Sequence, residues 1–125
     1  MPVAQLKPVE TVQLDQDQLE TLYRQLGPVG ADKVVNHALE ELAALLTRLP
    51  VYYRAANMDD LGKGARALAA VAQQVGMTTL ARIARDVALL ARGPDAIALG
   101  AVMSRLERIG DRSLVAVWDI ADQSI

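Results

Sequence analysis

His37 is the sole imidazole in the chain, and no cysteine accompanies it. A lone exposed histidine can accept a phosphoryl group or shuttle a proton. At helical spacing, however, it stands among Lys33, Glu40 and Glu41, a charged solvated face with no second histidine, cysteine or carboxylate constellation to hold a metal. Arg66 offers different chemistry. Its guanidinium stays protonated at any ordinary pH, so it has five donors and no lone pair: it pairs with carboxylates or phosphates and cannot attack them. On a helical wheel Gly62, Arg66, Ala69, Ala70 and Gln73 fall on one low face, with Lys63 on its polar side.

Other groupings have structural explanations. Gly62-Lys63-Gly64 is too short, and too helical in context, for a phosphate loop, which needs a preceding strand. Asp59-Asp60 and the pair Asp119 and Asp122 suit helix caps and ends. Arg82, Arg85, Arg92, Arg105, Arg108 and Arg112 recur at near-helical intervals, but acidic neighbours and a net charge of −2 make them a mixed surface rather than a nucleic-acid site. No metal and no cofactor is expected.

The elements that would position these residues are helical. Residues 1–14, with Pro2 and Pro8, read as a tail, and 15–125 as one domain. Asp15 is an N-cap signal, with Gln18 in the reciprocal capping position, for a short helix to about Leu26 that Gly27-Pro28 ends. A second helix from about Ala31 aligns Val35, Ala38, Leu39, Leu42, Leu45, Leu46 and Leu49, with Pro50 expected to kink or interrupt it. The third, from Met58 or Asp59, turns Leu61, Ala65, Leu68, Ala72 and Val75 inward, and Gly76 closes it. Thr78 is the expected cap of a fourth helix with Leu80, Ile83, Ala84, Val87 and Leu90 inside. After Gly93-Pro94, Asp95 caps a last helix bearing Leu99, Val102, Met103, Leu106 and Ile109, continued by Leu114, Val117 and Trp118 past a bend near Gly110.

Short connections between such segments favour an all-α, antiparallel up-and-down four-helix bundle with a short N-terminal helix. Composition agrees: 52% of the 125 residues are apolar but only 3% aromatic, so the core is Leu, Ala, Val and Ile, which suits closely approaching helices. No apolar run nears the roughly 20 residues needed to span a bilayer. The start lacks the form of a secretory signal, and the chain is free of cysteine. A cytoplasmic protein without membrane or nucleic-acid partners is expected.

The run Arg66-Ala67-Leu68-Ala69-Ala70-Val71-Ala72, followed by Val75-Gly76-Met77, Leu80 and Ala84, resembles the signature of histidine-containing phosphotransfer (Hpt) domains. That pattern has a histidine, an apolar residue two on, usually Lys-Gly next, a small pair, an apolar-Gly-Ala step, then Leu and Ala on the following helix. Arg66 stands at the histidine position, Ala69 at the lysine and Ala70 at the glycine, so the frame is kept and the phosphoacceptor lost. Lys63 partly makes up for the missing cation. The resemblance implies a phosphorelay module that binds a response-regulator receiver domain, with a sensor kinase as a further partner. Gly62, Lys63, Arg66, Ala69, Ala70 and Gln73 would form the binding face, with no catalytic residue among them. The alternatives are phosphotransfer through His37, or a helical scaffold that forms a homodimer through Val117 and Trp118.

Overall fold

The computed structural model describes residues 15–123 and contains four α-helices: α1 (Gln16–Arg54), α2 (Met58–Gln74), α3 (Thr78–Ala91) and α4 (Ala96–Gln123). No strand occurs among the described residues. Each helix packs on the next in sequence, and α4 returns to α1, so the four enclose one core.

The short first helix and the long second one expected from sequence are continuous in α1 except at Gly27, whose φ of 75° and ψ of 168° are not helical. The cause is local: a residue before proline is pushed out of the α region, and only glycine takes this positive φ without strain. Pro50, expected to disturb the helix, does not break it, and α1 continues to Arg54. A turn from Ala55 to Asn57 follows, in which the Asn57 N–H donates to the Tyr52 carbonyl (2.9 Å) and the Ala56 N–H to that of Tyr53 (3.1 Å). This is the paired bonding of a Schellman ending, with Ala56 at φ 57° where glycine is usual.

Asp15 caps α1, its Oδ1 accepting from the Gln18 N–H at 3.1 Å. Gln18 does not return the bond as a capping box would. Its Nε2 instead donates to the carbonyls of Gln73 and Gln74, at the far end of α2. Asp95 caps α4 through the Ala98 N–H at 2.9 Å. The expected cap of α3 is corrected: Met77 occupies the N-cap position without a side-chain bond, and Thr78 is already the first helical residue.

The expected inner stripes form the core. Leu61, Ala65, Leu68, Ala72 and Val75 of the α2 segment are all fully buried, with Leu42 and Leu49 of α1, Leu80, Ile83 and Val87 of α3, and Leu106 and Ile109 of α4. Leu45, Leu46 and Leu90 are half-buried at its margin. Glycine sets two of the contacts. A Cβ on Gly64 would lie 2.6 Å from Leu49 Cδ2, and one on Gly110 2.7 Å from Leu46 Cδ2, so these positions let α2 and α4 approach α1 closely. The helix does not break at Gly110. The side chains of Leu114, Val117 and Trp118, and the tail 1–14, lie outside the described residues. No helix is long and apolar enough to cross a membrane among the described residues.

Candidate functional site

The first turn of α2 is fixed by Asn57, whose Oδ1 accepts from the Asp60 N–H (3.2 Å) while its Nδ2 donates to Asp60 Oδ2 (2.8 Å). Burial of the apolar stripe against α1 and α3 then sets the rotation of the helix, which leaves Lys63, Arg66, Ala70 and Gln73 facing solvent.

The exposed face of α2 is narrower than a helical wheel implies. Gly62 and Ala69 belong to the expected face, yet both are buried. The reason is that α2 packs against α1 on one side and α3 on the other, so its buried arc is wider than a single stripe. Gly62 lies beneath Arg66 and opposite α3: a Cβ placed there would sit 3.7 Å from Arg66 Nη1 and 3.8 Å from Ala91 Cβ. Gly62, with Ala91, is therefore a floor under the guanidinium rather than part of the exposed surface.

Arg66 lines an open groove of about 490 Å³ between the start of α2 and the end of α3, with Met58, Asp59, Gly62, Ala91 and Arg92. By sequence Arg92 is one cation of a mixed charged surface; folding brings it into the groove with Arg66. Both arginines are exposed. Asp59, the acidic group of the groove, pairs with Lys63 across one helical turn (Nζ to Oδ2, 3.3 Å), whereas neither arginine forms an ion pair among the described residues. The site thus presents two guanidinium groups over a floor of small side chains. Such an arrangement has the charged donors that pair with an oxyanion or a carboxylate.

His37 does not contribute to this groove. It is exposed on α1, with Nε2 3.0 Å from Glu41 Oε1. No group of three or more His, Cys, Asp or Glu side chains able to hold a metal occurs among the described residues.

The remaining arginines do not form one free strip: Arg105, Arg108 and Arg112 on α4 each engage a partner. An apolar groove between α3 and α4 is lined by Leu89, Leu90, Ala98, Ala101 and Val102, with Asp86 and Arg105 at its edge.

Compared with protein-family models, with curated proteins and with solved structures, the chain matches none.

Proposed function

We propose that this chain is a catalytically silent, Hpt-like docking module for response-regulator receiver domains, acting in the cytoplasm and built as an antiparallel up-and-down bundle. One observation carries the reading. Arg66, the residue that replaces the phosphoacceptor in the resembling segment, stands exposed on α2 over the small residues Gly62 and Ala91, without an intramolecular ion pair among the described residues. A receiver's phosphorylation pocket is a concave cluster of carboxylates. A cation on low ground can enter such a pocket and form charge-assisted hydrogen bonds, and Ala70 beside it lets the partner's loops approach. Because a guanidinium cannot accept a phosphoryl group, the module would occupy the receiver without discharging it.

Calorimetric titration against the receiver domains encoded in the same genome tests the reading. At least one should bind, with affinity falling roughly tenfold or more in Arg66→Ala, the loss expected for a charged hydrogen-bond partner. Ala70→Trp, which raises the ground beside it, should abolish binding. Unchanged affinity in both variants, or no receiver bound, would refute the proposal.

A further inference from the structure

Arg66 and Arg92 reach the same groove from different helices. Arg66 is two turns into α2, and Arg92 is the residue at which α3 ends. Two like charges lining one groove repel each other and favour an anionic occupant, and neither forms an ion pair among the described residues. Asp59 lines the same groove, and the partner its carboxylate has among the described residues is Lys63, across one exposed helical turn, rather than either arginine. Counted together, Arg66, Arg92, Lys63 and Asp59 leave the groove with a surplus of two positive charges on a chain whose net charge is −2.

Helix ends do not alter this balance. The groove adjoins both the N-terminal turn of α2 and the C-terminal turn of α3, so partial charges of opposite sign offset one another. Two of the amides at the start of α2 are engaged, Asp60 by the Asn57 side chain (3.2 Å) and Leu61 by the Asn57 carbonyl (3.0 Å). The charged donors that line the groove are the two guanidinium groups. The groove, about 490 Å³ and floored by Gly62 and Ala91, has room for a compact group.

We infer that this groove is a clamp for one phosphoryl dianion, held jointly by Arg66 and Arg92. A phosphoryl group near neutral pH carries between one and two negative charges and three acceptor oxygens, which match two planar donor forks better than a single carboxylate does. Resting on the docking reading above, the occupant is the phosphoryl group carried by the receiver's aspartate. The module then distinguishes the phosphorylated receiver from the unphosphorylated one and shields its phosphate. No bond forms or breaks on this chain.

Two measurements separate the clamp from the docking reading. In the first, inorganic phosphate is titrated into the isolated chain against chloride at matched ionic strength, following the Nε–H resonances of Arg66 and Arg92 by NMR. Both should move with one common dissociation constant, and Arg92→Gln should remove the response at Arg66 while leaving the melting temperature unchanged. In the second, a receiver carrying beryllofluoride on its aspartate, a stable substitute for the phosphoryl group, should bind roughly tenfold tighter than the unmodified receiver. Arg92→Gln should bring that ratio to one. If receivers bind equally in both states and phosphate moves neither arginine, the clamp is wrong and docking stands. If phosphate binds but no receiver does, the clamp stands as a site for small phosphorylated ligands and docking fails.

Discussion

The backbone of Asp15 is joined to that of Gly76: the Asp15 N–H donates to the Gly76 carbonyl at 2.6 Å, and a Cβ on Gly76 would lie 2.7 Å from the Asp15 carbonyl oxygen. This contact fastens the start of α1 to the turn between α2 and α3, beside the bonds from Gln18 to the end of α2.

Gly76→Ala should therefore be costly twice over. At φ +78° a side chain carries a penalty of about 1 kcal/mol, and the collision is with backbone, which cannot rotate away. A loss of about 2–4 kcal/mol is expected by urea denaturation. A loss below 1 kcal/mol would mean that the α1 start is not seated on this turn.

The opposite substitution should help at Ala56. That residue takes φ 57° in the Schellman turn after α1, where glycine bears no Cβ penalty. Ala56→Gly should raise stability by about 0.5–1 kcal/mol even though glycine makes the unfolded chain more flexible. A decrease would show that this turn adopts another conformation in solution.

Gly62 allows stability and binding to be pulled apart. A methyl group there meets only ordinary contacts, at 3.7 Å and 3.8 Å, and alanine is favoured over glycine within a helix by about 1 kcal/mol. Gly62→Ala should raise the melting temperature by a few degrees. It should also weaken phosphate and receiver binding, because the methyl raises the floor beneath Arg66. A variant that bound as well as the parent would remove the floor from the binding site.

Several of these devices are legible in the chain and others are not, for reasons that differ by residue. Asp15, Asp95 and the break at Gly27-Pro28 declare themselves because capping and φ preferences are local. Gln18 does not, because its partners lie 55 and 56 residues away. Thr78 is a better cap by residue type than Met77, yet the backbone enters the helix one residue earlier. Gly62 and Ala69 pass as exposed on a wheel, which knows one packing direction, whereas α2 has two neighbours. The pairing of Arg66 with Arg92 depends on how α2 and α3 lie together and has no sequence signal beyond the presence of both cations.

Tyr23 provides a pH-dependent signature remote from the groove. Its hydroxyl donates to Asp32 Oδ1 at 2.7 Å, and its pKa is raised above the ordinary 10.0, first by that hydrogen bond, then by desolvation and by the Asp32 charge. A raised pKa means that the folded state favours the protonated phenol. Its stabilising contribution is complete below the unfolded value near 10 and is lost as pH rises through the higher folded value. Ultraviolet titration should show one tyrosine ionising late, and Asp32→Ala should return it toward the ordinary value. If the titration curve were identical in Asp32→Ala, the hydrogen bond would be absent in solution.

His37 and position 66 differ in their fitness to carry phosphate. His37 is chemically competent but stands beside Glu41, with both side chains well exposed. An exposed i, i+4 pair contributes little, so His37→Gln should alter stability by less than about 0.5 kcal/mol and leave receiver binding unchanged. Incubation with a phosphorylated receiver should leave no acid-labile phosphate on the parent chain. Arg66→His places an imidazole, with a free lone pair near neutral pH, on the same exposed position of α2. That variant should gain acid-labile phosphate, slowly, because Ala69 is buried and supplies no cation. Arg92 should assist the transfer, so that adding Arg92→Gln slows it further. Label appearing on His37 in the parent chain would reverse this assignment and make the chain a phosphocarrier.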